Sequence, residues 1–168
     1  MVVLVVDGYN IIGDWPELKA LKDYRLEDAR HRLIEMLAEY QAYTGYKVIV
    51  VFDAYDVPGV EKKKKQLKVD VIFTKEKETA DERIERLVNE VKNVKTKVYV
   101  ATSDSTEQWT IFSKGALRKS ARELLLEVKE IELEITENVE IQKTLSPRAK
   151  IPLNEDVLKT FEKWRRGK

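Results

Sequence analysis

The sequence predicts an α/β protein built on a parallel sheet, and three observations carry that reading. Val2–Val6 is an apolar run, β-branched at four of its five positions, and it stops at Asp7-Gly8. Lys47–Phe52 (KVIVVF) is a second such run that stops at Asp53, and Lys97–Ala101 (KVYVA) is a third that stops at Thr102-Ser103-Asp104. Between the first two, Leu26–Tyr43 carries apolar residues at helical spacing. Short runs that are apolar on both faces and end in turn residues are strands buried in the middle of a sheet. Strand, helix and strand together make a right-handed, parallel βαβ unit.

Length and composition bound what such a sheet can be. The 168 residues suit one domain, 1–168, with a core large enough to fold unaided. Hydrophobic residues make up 43% of the chain, which excludes a disordered polymer. The net charge is only +1, so attraction to a polyanion must come from local patches. The absence of cysteine removes disulfides, thiolate chemistry and cysteine-bound zinc, and the single histidine, His31, excludes a histidine-rich metal site. No apolar run is long enough to span a bilayer, and the first strand lacks the basic flank of a signal peptide. No membrane partner is expected, and the expected location is cytoplasmic.

Taken in order, the elements follow from local patterns. Asp14-Trp15-Pro16 reads as a loop. The helix at 26–43 buries Leu33, Leu37 and Tyr40 on one face and ends at Gly45, a C′ residue. Ala54–Gly59 is a loop, and the lysines Lys62, Lys63, Lys64 and Lys65 that follow suit a solvated face or the guarded edge of a sheet. Leu67, Val69, Val71 and Phe73 alternate, which predicts a strand over 68–74. Thr79 and Glu82 fit a capping box, and the helix it opens buries Ile84, Leu87, Val88 and Val91. A short helix is expected over 108–112, carrying Trp109. A long helix is expected over 116–135, with Arg118, Lys119 and Arg122 clustered near its start. Val139–Lys143 reads as an edge strand, and a last helix at about 154–166 is capped by Asn154.

This layout gathers carboxylates. Asp7, Asp53 and Asp104 each follow a strand, and Asp81 lies in the first turn of a helix. In an open α/β sheet the C-terminal ends of the strands line the ligand crevice. Each aspartate alone has a plain structural reading: Asp7 can shape a turn with Gly8, Asp81 can favour the positive end of a helix, and Asp104 can cap one. Four on one edge repel one another unless a cation binds between them. An all-oxygen set suits Mg²⁺ or Mn²⁺, ions that activate water and neutralise phosphoryl charge. That chemistry fits phosphodiester hydrolysis.

The motifs now extend beyond single residues. DGYN at Asp7–Asn10, FDA at Phe52–Ala54, TADERIE at Thr79–Glu85 and ATSD at Ala101–Asp104 resemble the YacP-like NYN-domain ribonucleases of the PIN-like superfamily. EYQAYTG at Glu39–Gly45, GALRKSARELL at Gly115–Leu125 and LKTFEKWRRG at Leu158–Gly167 extend the resemblance over nearly the whole chain. It implies a PIN-like three-layer fold, a central parallel sheet with helices on both faces. It also implies a metal-dependent endonuclease of single-stranded RNA, cleaving mRNA in the A site of the ribosome. The acidic centre then maps to Asp7, Asp81 and Asp104, with Asp53 assisting and Asn10 orienting a ligand or water. No small-molecule cofactor is implied.

Flanking the acidic edge, Lys62–Lys65 together with Arg118, Lys119 and Arg122 are the candidate RNA- or ribosome-binding residues. Tyr9, Trp15 and Trp109 lie near the edge in sequence and suit either base stacking or core packing. His31 reads as a surface or packing residue. Two other functions use the same features: a non-catalytic ribosome- or RNA-binding module, and a phosphoacceptor receiver-type domain. The second expects a lysine after a late strand, and none is clearly placed.

Overall fold

A computed structural model of the chain describes residues 1–54, 62–104 and 114–149, with side chains to 141. Its strands are β1 (Val2–Asp7), β2 (Lys47–Phe52), β3 (Lys62–Gln66), β4 (Val69–Phe73), β5 (Lys97–Thr102) and β6 (Leu117–Ser120). Its helices are α1 (Gly8–Asp14), α2 (Pro16–Tyr24), α3 (Leu26–Thr44), α4 (Ala80–Val91) and α5 (Ala121–Ala149). The six strands lie in the order β3-β4-β2-β1-β5-β6, and only the β3–β4 pair is antiparallel.

The alternation of side chains along the central strands builds two cores. Leu4 and Val6 of β1, with Val48, Val50 and Phe52 of β2, meet α1, α2, α3 and α5 on one face. Val3 and Val5, with Ile49 and Val51, meet Ala80, Ile84, Leu87 and Val88 of α4 on the other. The result is the expected three-layer arrangement. β1 is the central strand, and Val3 to Val6 are at most 2% exposed, which is why it reads as a continuous apolar run rather than an alternating one. None of the described helices is long and apolar enough to cross a membrane.

Several local expectations hold in detail. Gly45 ends α3 with φ +75°, and its N–H donates to the Gln41 carbonyl. The Glu82 N–H donates to Thr79 Oγ1 at 3.2 Å, so Thr79 caps α4. His31 is a surface residue whose Nε2 lies 2.9 Å from a Glu35 carboxylate oxygen.

Other expectations are corrected. The stretch read as turn and loop after β1 forms two helices, α1 and α2, which meet at Trp15. Pro16 sits in the first turn of α2, where its missing N–H costs nothing. Trp15 is fully buried and its Nε1 donates to the Ala121 carbonyl at 2.8 Å, so it is a core residue and not a base-stacking platform. The lysine run is an edge strand, β3, joined to β4 by Leu67 and Lys68 at φ 51° and 70°. Two positive-φ residues make a tight hairpin turn that ordinarily selects Asn or Gly. Here Gln41 Nε2 holds it by donating to the Lys68 carbonyl at 2.8 Å.

The long helix begins at Ala121 rather than 116, because Ser120 Oγ accepts the Glu123 N–H at 3.1 Å. Residues 117–120 pair instead with β5, so Arg118 and Lys119 lie on β6 and only Arg122 on the helix. The helix then continues to Ala149, so 139–143 is helical and not an edge strand. The expected short helix at 108–112, with Trp109, and the last helix at about 154–166 lie outside the described residues.

Candidate active site

The C-terminal edge of the parallel sheet is where the acidic residues stand. Asp7 is the last residue of β1 and is 6% exposed. It occupies the N-cap position of α1, yet its side chain makes no capping hydrogen bond there. β2 and β5 flank β1 in parallel register, with Asp7 opposite Val51 and Val6 opposite Ala101. Asp53 follows β2 directly and Asp104 follows β5 by two residues, so the two half-buried carboxylates bracket the tip of β1. Asp81 is exposed in the first turn of α4, on the opposite face of the sheet from α1.

Asn10 ties two of these tips together. Its Oδ1 accepts from Thr102 Oγ1 at 3.1 Å and from both the backbone N–H and the hydroxyl of Ser103. Thr102 Oγ1 in turn accepts the Asp104 N–H at 3.1 Å. The amide oxygen is thus engaged with the turn that presents Asp104, and Asn10 acts as a positioning residue within the chain. Thr102 is fully buried and was not singled out by sequence; nothing in its local pattern separates it from any strand-end threonine.

Gly8 is required by packing. A Cβ there would stand 2.3 and 2.5 Å from two ring carbons of Phe52. That ring is fully buried, 5.0 Å from the Tyr9 ring and 5.4 Å from the Phe73 ring, and has no room to retreat. Gly8→Ala is expected to lower stability by about 1–3 kcal/mol, the usual cost of overpacking. Urea denaturation reads this directly, and an unchanged midpoint would show that Phe52 repacks freely.

Among the described residues, no three of the His, Asp and Glu side chains stand close enough together to hold a metal ion. The donor chemistry still suits a hard divalent cation. Mg²⁺ is typically held by one or two carboxylates, with waters and substrate phosphate oxygens completing its shell.

The candidate basic residues divide. Lys62, Lys63, Lys64 and Lys65 are exposed on β3, but the strand runs antiparallel to β4 and leads away from the acidic edge. Lys62 lies opposite Phe73 at that edge, whereas Lys65 lies opposite Asp70 and within 3.7 Å of its carboxylate. Arg118 and Arg122 are exposed. Lys119 is 12% exposed, ion-paired to Glu127, and 5.1 Å from the centre of the Tyr99 ring. Glu127 also accepts from the Tyr40 hydroxyl at 2.7 Å, and burial together with this bond pushes the Tyr40 phenol above its ordinary range. Lys119 is thus part of the packing between α3, α5 and the sheet.

A parallel sheet with carboxylates at the tips of β1, β2 and β5, reached through an Asp-Gly-Tyr-Asn turn into a helix, defines a class. The chain belongs to the YacP-like NYN domain family, which matches it over residues 4–166. NYN domains are generally nucleases. The chain is 60% identical over 167 residues to the protein YacP of Bacillus subtilis (strain 168), itself described as uncharacterized, covering 99% of this chain and 98% of the relative. It shares the fold of the crystal structure of Rae1 (YacP) from Bacillus subtilis, with 60% identity and a TM-score of 0.76 over 99% of this chain and 96% of that one. The W164L mutant of the same protein matches with 56% identity and a TM-score of 0.78, over the same shares.

Proposed function

We propose that this protein is a metal-dependent endoribonuclease that hydrolyses single-stranded RNA, with mRNA on the ribosome as its substrate and the cytoplasm as its place of action. The observation that carries this reading is the set of carboxylates at adjacent strand tips in a chain that belongs to a family of generally nucleolytic domains. In this reading Asp7, Asp81 and Asp104, with Asp53 assisting, form the centre for Mg²⁺ or Mn²⁺, of which one or two carboxylates hold the ion directly and waters and substrate phosphate oxygens complete its shell. A bound ion supplies an activated water and offsets charge on the phosphoryl group. The chain's own part is to place the carboxylates. Burial fixes Asp7 at the end of a strand enclosed on both faces, and Asn10 fixes the turn before Asp104. Of the β3 lysines Lys62–Lys65, Lys62 lies nearest the edge, and these residues with Arg118 and Arg122 offer phosphate contacts to the bound strand.

The test is cleavage of an end-labelled single-stranded RNA. EDTA is expected to abolish it, and added Mg²⁺ or Mn²⁺ to restore it. Because a ligand bound only by the folded state adds stability, the ion should also raise the melting temperature, by an equivalent of about 2.7 kcal/mol at a hundred times its Kd. Full activity in EDTA would overturn the metal mechanism. RNA or ribosome binding without cleavage in any metal would leave a binding module instead.

A further inference from the structure

We infer that a cleft beside the acidic edge binds the phosphate backbone of single-stranded RNA and leads it to the carboxylates; this rests on the nuclease reading above. The cleft has a volume of about 290 Å³ and lies between the start of α3 and the β3–β4 hairpin. Arg25, Arg30, Lys64 and Phe73 line it. Lys64 shares a face of the sheet with Val71, which packs in the core beneath α3, so the strand turns this lysine toward the helix. Its Nζ lies 5.5 Å from the centre of the Phe73 ring, and the Arg30 guanidinium lies 6.0 Å from the same centre. One aromatic ring therefore holds two cations in place through its negative face. Arg30 also donates to the Tyr9 hydroxyl at 3.1 Å.

Those contacts join the cleft to the acidic edge. Tyr9 stands two residues after Asp7, and Phe52, which stacks on Phe73 at 5.4 Å, stands immediately before Asp53. The cations differ from the other basic groups near the sheet in what they already bind. Lys65 is paired with Asp70 and Lys119 with Glu127, whereas among the described residues no carboxylate lies within ion-pair distance of Arg25, Arg30 or Lys64. Glu27 and Asp28 also line the cleft, but both belong to the first turn of α3, where the helix dipole offsets part of their charge. Three cations held apart along a groove, two of them steadied by one ring, suit successive phosphates of a flexible strand. A rigid duplex would have to bring its whole width into a space of this size.

The experiment is a salt titration of binding between the full-length protein and a fluorescent twelve-nucleotide oligouridylate, in EDTA so that the strand stays intact. Arg25→Gln with Lys64→Gln removes two exposed cations and leaves the core untouched. The slope of log K against log salt should become shallower by about 1.4, and binding at 0.1 M salt should weaken roughly 20-fold, from about 0.7 per phosphate contact on a single strand. Arg30→Gln alone should remove about 0.7 of the slope. Lys97→Gln, at the opposite end of the sheet, should change neither quantity. A slope unchanged in the double variant, an equal loss in Lys97→Gln, or no oligouridylate binding by the wild type would each overturn the cleft. Cleavage in Mg²⁺ is read separately on the same proteins. Cleavage that persists with an unchanged slope rejects the cleft alone. The expected slopes without cleavage reject the nuclease reading alone.

Discussion

Asp7→Asn is expected to reduce RNA cleavage by at least about a hundredfold while leaving the melting temperature unchanged or slightly higher. The loss follows from chemistry: a neutral amide neither holds a hard cation as a carboxylate does nor balances its charge, and a misplaced reacting group alone costs rate on this scale. Stability should survive for a different reason. Asn keeps the size of Asp at a position that is 6% exposed, so the packing of β1 is not disturbed. It also removes one negative charge from an edge that carries Asp53 and Asp104 on the neighbouring tips. Asp81→Asn should behave the same way, and more safely, because Asp81 is exposed. Cleavage rates and thermal melts on the same preparations make the test. A variant that unfolds yet keeps its specific activity would show that the aspartate is a structural group.

Trp15→Ala should be the most destabilising single change, by about 3–5 kcal/mol, the range for truncating a buried large aromatic. For a chain of this length that corresponds to a fall in melting temperature on the order of 10 °C. Trp15 is fully buried where α1 meets α2, and its Nε1 donates to the carbonyl of Ala121, the first residue of α5. The truncation leaves a cavity and also removes a buried hydrogen bond. Trp15→Phe separates the two effects, because it keeps much of the volume and loses chiefly the hydrogen bond, at a cost of about 0.5–1.5 kcal/mol. Calorimetry on both variants gives the answer. A melting temperature for Trp15→Ala within a degree of wild type would mean that the ring does not support the junction between α1, α2 and α5.

What could be read in the chain depended on how local the governing forces were. β1, β2 and β5 were legible because each is buried on both faces and bounded by turn residues, so a few consecutive side chains carry the signal. The α3 end at Gly45 and the α4 start at Thr79 were legible because capping is a short-range hydrogen-bond problem. The β3–β4 hairpin was hidden because its turn residues are Leu67 and Lys68, whose positive φ is sustained by Gln41 from a distant helix. The boundary before α5 was hidden because Leu117–Ser120 becomes a strand only through pairing with β5.

The sequence by itself determined the fold class, the family and the placing of Asp7, Asp53 and Asp104 at strand ends, since alternation, burial runs and motifs are properties of neighbouring residues. Tertiary structure alone decided the rest. It turned Asn10 onto the Thr102–Ser103 turn, drew Trp15 into the core, committed Lys119 to Glu127, and set Arg30 and Lys64 around Phe73. Each of these joins residues on different elements, and the contacts of Asn10, Trp15 and Arg30 span more than forty residues of chain. Such contacts depend on strand order and helix packing, and no local pattern encodes them.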